Sequence, residues 1–549
     1  MTTYQDKPWL AHLNAEQRAP ISPPPSVLHA FEAAVRRFPD RAALVYFDGR
    51  LSYAETDWLS DAVAAHLVER GFRRGDRAVL MLQNTPHFVI ALLGVWKAGG
   101  VAVPVNPMYK AGEVGHILRD AEVIALICAD HAWAEYLRAA AADSPVRIAL
   151  TASPFDFQSR DDARVLRGGR AAPARDADDL YAVARSGAHR PADPGLTAEH
   201  TALISYTSGT SGAPKGAMNT HGNIMFNAER QRTGGGIPEG SVYFVLAPLF
   251  HITGMVNELS VCLTNAGTLA LAYRFEPGVV LDAFLEHRPA FTVGPSTAFM
   301  ALLAQPQVTR DHFASFQSIS SGGAPLPPAL TERFRAASGC YLHNGYGLTE
   351  CTAPCASVPP GLEAPVDPAS GTLAVGVPGP DTVVRIIDEK GCDVPFGEHG
   401  EIAVRGPQVV PGYWRRPEET EAAFPGGELR TGDIGFMDPT GWLYVVDRKK
   451  DMINASGFKV WPREVEDVLY THPAVREAAV VGVPDSYRGE TVKAYVSLRP
   501  GAPAEGADLV AYCKERLAAF KYPREVEILP ELPKTMSGKI LRRELRARA

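Results

Sequence analysis

Short apolar runs alternating with helix-length segments set the tightest constraint on this chain. AVLMLQN (78–84) reads as a buried strand, PHFVIALLGVWKAGG (86–100) as a helix, and VAVPVNP (101–107) as the next strand. Strands joined through a helix pair in parallel, with right-handed crossovers and helices on the sheet faces. The alternation returns at VIALICA (123–129) and through residues 242–345. Residues 26–73 read as helix, strand, strand, helix, the strands turning as a hairpin about Asp48 and Gly49. From about residue 372 strands follow one another directly, in VVRIIDEKG, GEIAVRGP and GWLYVVD. After Asp447, helix and strand alternate over roughly 100 residues, which predicts a separate small domain beginning near 449–451. The stretch 156–200 is rich in Arg, Asp, Ala and Gly. It reads as a partly mobile surface excursion with a short helix over 178–186. No tandem repeat of fixed period interrupts this order.

Composition narrows the function classes. A chain of 549 residues, 46% hydrophobic and 21% charged, is an ordinary globular sequence of three or four domain-sized units. Its 55 basic and 62 acidic residues give a net charge of −7, with no long basic run, so nucleic acid is not the expected partner. The apolar stretches 88–105 and 242–273 are broken by Lys97, Gly99 and Gly100, and by His251, Asn257 and Glu258, which argues against a membrane span. No secretory leader pattern opens the sequence. Seven scattered cysteines, an odd number, suit a reducing cytoplasm. Cys351 and Cys355 sit four apart with no second pair, so they read as small buried residues and not as a metal site.

The sharpest local signal is YTSGTSGAPKG (206–216), directly after the apolar strand ALIS. Gly209, Gly212 and Gly216 permit close backbone approach to an anion. Thr207, Ser208, Thr210 and Ser211 can donate to phosphate oxygens, and Lys215 adds a positive charge. The string is not a Walker loop, because Pro214 precedes the lysine and Gly216 follows it. It suits a triphosphate or pyrophosphate.

This loop resembles that of the adenylate-forming superfamily, which contains acyl- and aryl-CoA synthetases, peptide-synthetase adenylation domains and beetle luciferase. The resemblance covers nearly the whole chain, because further motifs follow in order. These are PLFHITGM (248–255), SGGAPL (321–326), NGYGLTE (344–350), RTGD (430–433), DRKKDMINASGFKVWPREVE (447–466) and PKTMSGKILRREL (533–545). The implied α/β fold has a large N-terminal domain of stacked αβ sheets with a small β-barrel-like subdomain (1–449). A small mobile α+β C-terminal domain (450–549) follows.

The resemblance also implies roles. Tyr346, within Tyr346-Gly347, would stack on adenine, Thr349 would contact the α-phosphate and Glu350 would hold Mg²⁺, which favours a carboxylate together with phosphate oxygens. Asp433 would accept the ribose hydroxyls, with Arg448 reaching the same ribose. Asn344 and the backbone of Gly322, Gly323 and Ala324 would meet the adenine. Lys539 would bridge the substrate carboxylate and the nucleotide during adenylation, where charge builds on phosphorus. Lys450 would be the hinge of the small domain, Gly457 would line the pantetheine tunnel, and His251 would gate the carboxylate pocket.

The implied reaction has two halves, acyl adenylate formation from ATP and then thioester formation with coenzyme A. The expected partners are a small-molecule carboxylic acid, ATP and CoA, in a cytoplasmic monomer or homodimer. A ligase loading a carrier protein is the first rival, though no extra domain is evident between Glu350 and Arg430. A luciferase-type oxygenase and a non-enzymatic nucleotide sensor are weaker rivals, since Lys539 and Glu350 are both present and the closing ELRARA carries no Ser-Lys-Leu address. The implied pocket segments are 251–258, 293–299, 321–326 and 346–357, rich in small and apolar residues such as Gly254, Ile252, Met255, Val256 and Phe299. They favour a medium- or long-chain fatty acid over an aromatic or alicyclic one. Glu258 could anchor an ammonium group only by facing inward.

Overall fold

The computed structural model describes residues 3–170, 174–207, 214–448, 451–455, 458–485, 489–535 and 538–548. Two large sheets carry the N-terminal part. The first has seven strands, in the order Asp178–Asp179, Ile148–Ala152, Val123–Ala129, Arg77–Met81, Val101–Pro104, Thr201–Thr207 and Lys215–Thr220. All neighbours are parallel except the last pair, which flanks the 206–216 loop as an antiparallel ribbon. The second sheet has nine strands and begins at one edge with the expected hairpin, Ala42–Tyr46 and Gly49–Ser52. Its parallel centre includes Val242–Phe244, Phe291–Gly294, Ser318–Ser321 and Leu342–Tyr346.

One continuous core joins both sheets through the helices between them. The helix Pro86–Lys97 is apolar nearly all round and every one of its residues is buried, as such a surface requires. Lys97 is no break in that burial. Its amine donates to Asp57 and Asp61, each at 2.6 Å, and to Ser60 at 2.9 Å. A buried charge is tolerated when it is paired and hydrogen-bonded in this way. Gly94 lets the neighbouring helix Tyr53–Glu69 approach, since a Cβ there would lie 2.7 Å from a Val63 methyl. Among the described residues no helix is long and apolar enough to cross a membrane.

The strand-rich region after 372 forms a four-stranded antiparallel meander, Val383–Ile387, Gly400–Arg405, Leu429–Met437 and Leu443–Arg448. The small C-terminal domain follows, a mixed sheet around the long hairpin Val475–Asp485 and Gly489–Leu498, covered by the helices Pro462–Tyr470 and Gly506–Lys514. The 156–200 stretch is mostly irregular and carries the short helix Leu180–Ala184, but it is more anchored than its composition predicts. Val165, Leu166, Leu180 and Leu196 are buried, and buried Asp156 pairs with Arg170 at 2.6 Å and His87 at 3.2 Å. A few well-placed apolar side chains secure a segment whose average hydropathy is low.

The parallel strands of the second sheet all deliver their carboxyl ends to one edge. The loops after them carry the segments 248–255, 321–326 and 344–350, so the fold gathers these motifs in one cleft, where ligands of open α/β sheets bind.

Candidate active site

The phosphate side of the cleft starts at the antiparallel ribbon. Thr207 pairs with Lys215 across it, and the Thr207 hydroxyl donates to the Lys215 carbonyl at 3.4 Å. Ser208, Gly209, Thr210, Ser211 and Gly212 lie outside the described residues. The Lys215 amine stands 5.2 Å from the centre of the Tyr413 ring, a cation–π distance. The Tyr413 hydroxyl in turn donates to Glu350 at 2.9 Å. Burial and then the Glu350 charge push the Tyr413 phenol far up, so it remains a donor. Lys215 and Glu350 therefore share one aromatic intermediary.

Thr349 and Glu350 sit on the single turn Thr349–Cys351. It runs into two left-handed non-glycine residues, Thr352 at φ 52° and Ala353 at φ 24°. Such backbone persists only where its surroundings hold it. Two buried asparagines do so: Asn219 donates to the Thr349 carbonyl and the Thr352 hydroxyl, both at 3.0 Å, and Asn227 to the carbonyls of Thr352 and Ala353 at 2.8 and 2.9 Å. Cys351 and Cys355 are buried beside this turn, with sulfurs near the Leu348 and Tyr346 carbonyls. Among the described residues no group of three or more His, Cys, Asp or Glu is placed to hold a metal ion.

On the nucleotide side, Asp433 and Arg448 are direct cross-strand partners in the meander. This brings together two residues fifteen apart in the chain. The Arg448 guanidinium lies 3.4 Å from one Asp433 oxygen, and the Tyr346 hydroxyl donates to the other at 2.7 Å. Burial raises the Asp433 carboxyl above its usual range, while Arg448 and Tyr346 pull it back. Gly322 and Gly323 follow the strand Ser318–Ser321 and line the cleft with Asn344, Tyr346 and Gly347. Gly323 is left-handed, at φ 77°. At Gly347 a Cβ would meet the Pro354 backbone at 2.8 Å, so glycine is required there. Asn344 donates to the Ala374 carbonyl at 3.1 Å and accepts from the Gly345 N–H at 3.1 Å, bonds that tie the strand end to the meander side.

Lys539 comes to this cleft from the C-terminal domain. Its loop is closed by the Thr535 N–H donating to the Lys539 carbonyl at 2.7 Å, and turns at left-handed Gly538. The Thr297 hydroxyl, from the N-terminal part, donates to the Gly538 carbonyl at 3.2 Å and docks the loop. Lys539 is exposed by area, but the protein around its amine, and then the Arg448 guanidinium, lower its pKa to about 8. His251 lies within the same electrostatic field. Burial, and then Lys539, lower the imidazole to about 4, so it is neutral at pH 7. Its Nδ1 accepts from the Thr253 N–H at 3.2 Å. Lys450 and Gly457 lie outside the described residues.

Arg542 donates to Asp447 at 2.9 Å and to both Glu466 oxygens at 2.8 Å, while Arg463 reaches back to the Leu326 carbonyl at 3.2 Å. These arginines, with Tyr413, Asn219 and Asn227, are the contributors that sequence reasoning missed. Arg463 and Arg542 lie in recognised motifs and the other three outside them, and nothing in their spacing shows which distant atom each one meets.

A channel of about 910 Å³, open mouth included, leads inward from Gly322, Gly345 and Gly347. Its walls differ from the expected ones. Ile252, Met255, Val256 and Phe299 belong to the packed core, and the channel runs instead past Thr253, Asn257 and Val293. Glu258 does not face it as an anchor. One Glu258 oxygen accepts from the Leu246 and Val293 N–H groups at 3.1 and 3.0 Å, and complete burial drives the carboxyl pKa well above its usual range.

Comparison with known proteins follows this geometry. Family models described as "AMP-binding enzyme" and "AMP-binding enzyme C-terminal domain" match residues 31–414 and 464–539. A long-chain-fatty-acid–CoA ligase of Bacillus subtilis (strain 168) is 36% identical, across 98% of this chain and 97% of its own. A feruloyl-CoA synthase of an Amycolatopsis species is 35% identical, across 93% and 97%. Among solved structures, ATP-bound MatB from Rhodopseudomonas palustris superposes with a TM-score of 0.82 at 29% identity, covering 95% of this chain and 98% of that one.

Proposed function

The chain belongs to the AMP-binding enzyme family, as an ATP-dependent, AMP-forming acid–CoA ligase, and from that premise we propose how its residues divide the reaction and which acids it takes. The 206–216 loop, with Lys215, holds the β- and γ-phosphates. Tyr346 presents its ring face to the adenine, and Asp433 with Arg448 takes the ribose hydroxyls. A substrate carboxylate oxygen attacks the α-phosphorus and pyrophosphate leaves, giving the acyl adenylate. Thr349 meets the α-phosphate, and Lys539 lies between the two anions, where a fixed cation lowers the barrier most. Glu350 supplies one carboxylate and stands by the phosphate loop, a donor set that fits Mg²⁺ shared with phosphate oxygens and water. When bound there, the ion would neutralise triphosphate charge.

The small domain then turns about Lys450, withdrawing Lys539 and bringing Gly457 to the pantetheine path. The CoA thiol gives up its proton, its sulfur bonds to the acyl carbon, and the bond from that carbon to the AMP oxygen breaks. Neutral His251 stands at the carboxylate end as a gate and not as a charge.

The acid is a monocarboxylate with an extended, mostly apolar body. Medium- and long-chain fatty acids fit that description and match the names of several relatives; aromatic acids fit it as well, and one relative is named for ferulate. The observation that carries this reading is the electrostatically coupled set Lys539, Asp433, Arg448 and His251, joined through the Tyr346–Asp433 hydrogen bond to a channel walled by Gly322, Gly345 and Gly347. A panel from acetate to palmitate, with benzoate, cyclohexanecarboxylate and cinnamate, tests it by CoA-dependent AMP release. Extended acids should release AMP and acetate should not. Preference for acetate would overturn the channel assignment.

A further inference from the structure

We propose that the far end of the acyl channel selects acids bearing a hydroxyl group remote from the carboxylate, through Gln231, Asn257, Ser320 and His343. The proposal rests on the reading of this channel as the acyl site. Strand register supplies one wall. Val293 pairs with Ser320, and Ser320 with His343, so their side chains share one face of the sheet, with Gly345 two residues beyond His343. All four residues border the channel. Gly345 leaves space next to the cleft mouth, and the two polar side chains stand deeper along the same face.

The opposite wall comes from the helix His221–Gly234 and the π-helical turn Gly254–Ser260. Gln231 donates its amide N–H to the Asn257 carbonyl oxygen at 3.0 Å. That bond engages a donor of Gln231 and the acceptor of Asn257. The complementary groups, the Gln231 carbonyl and the Asn257 amide, are an acceptor and a donor on residues that line the channel. His343 Nδ1 lies 3.3 Å from the Ile319 carbonyl, which fixes its proton on that nitrogen and leaves Nε2 as an acceptor. Burial lowers the His343 pKa, so the ring is neutral.

An alkyl terminus laid against these groups would strip them of water and return no hydrogen bond, which penalises the complex. A hydroxyl can donate to His343 or Gln231 and accept from Asn257. A site built to bond a substrate hydroxyl discriminates strongly against the analogue that lacks it. Two sources share this chemistry, a phenolic acid and an ω-hydroxy fatty acid.

Matched pairs separate them: 4-hydroxycinnamate against cinnamate, and 10-hydroxydecanoate against decanoate, each read as kcat/KM for AMP release. The hydroxylated member of at least one pair should be favoured tenfold or more, and the pair that responds identifies the source. In Asn257→Leu and His343→Phe that preference should collapse, while ATP binding measured by calorimetry on the same preparation certifies the fold. Equal use within both pairs, or a preference that survives both substitutions, overturns the proposal and leaves the ligase reading intact. Absence of AMP release with every acid overturns both.

Discussion

On the nucleotide side of the cleft, Tyr346, Asp433 and Arg448 hold one another at 2.7 to 3.4 Å, and Lys215, Tyr413 and Glu350 form a second linked set. The proposed acyl channel is walled by Gly322, Gly345 and Gly347 together with polar side chains, Gln231, Asn257, Ser320 and His343 among them. The first region is hydrogen-bonded and ion-paired within the protein itself, a preorganisation of the kind transition-state electrostatics favour. The second is defined by what its side chains leave open. The proposed function therefore assigns chemistry to the first wall and selectivity to the second, with Lys539 reaching toward the cleft from the C-terminal domain.

The sharpest break between the two comes from Lys539→Ala. Removing this cation should lower adenylate formation by ~10²–10³-fold, the usual effect of losing one such contact. Thioester formation from a pre-made acyl adenylate should survive, because no charge builds on phosphorus in that step. Stopped-flow measurement of each half-reaction checks this, and equal losses in both would place Lys539 outside the boundary role.

Gly345→Leu probes the other wall. A Cβ there meets its nearest neighbours at 3.7 Å, an ordinary contact, and Gly345 is not left-handed, so the fold should tolerate the change. The added side chain enters the channel. We expect kcat/KM for extended acids to fall at least tenfold, by roughly 1.4 kcal/mol or more of transition-state binding, with the KM for ATP unchanged. A rise in the ATP KM of similar size would show that the two walls are not separable.

The pH dependence should follow the boundary. Lys539 has a depressed pKa of about 8, so its charge is present below that pH and lost above it. His251, lowered to about 4, contributes no titration near neutrality. For adenylation, kcat/KM should decline above pH 8, by roughly five- to sixfold between pH 8 and pH 9, since this parameter follows the free enzyme. Lys539→Arg, with its higher pKa, should remove that decline. A limb near pH 6.5 in its place would implicate a different histidine.

The smallest expected effect is that of Tyr346→Phe. It keeps the ring face but deletes the hydrogen bond to Asp433. A net hydrogen-bond contribution of ~0.5–1.5 kcal/mol corresponds to roughly a 2- to 10-fold rise in the KM for ATP, read by initial rates at saturating acid. Acid selectivity should not move.

The same contrast explains what could be read from the sequence. The strings YTSGTSGAPKG and NGYGLTE were legible as motifs because each is contiguous, whereas Tyr413, which links Lys215 to Glu350, lies in none of them. The alternating strands and helices were legible for a similar reason, since their periodicity is local. The channel was legible in part: Thr253, Asn257, Val293 and Gly322 line it and fall in the expected pocket segments, but its assembly did not show in the chain. Gln231, Asn257, Ser320 and His343 come from four elements, and only pairing register and helix packing bring them together. Met255 and Phe299 looked like lining because they lie within the implied pocket segments, yet both turn into the core. Glu258 shows the same limit, because its role depends on two backbone N–H groups at the ends of distant strands.

Acid-dependent exchange of labelled pyrophosphate into ATP, measured without CoA and followed by thioester assay after CoA is added, tests the central claim most directly. The account predicts exchange that requires the acid and proceeds without CoA, then stoichiometric AMP and acyl-CoA once CoA is supplied. Release of ADP and inorganic phosphate, or exchange that appears only with CoA present, would contradict it.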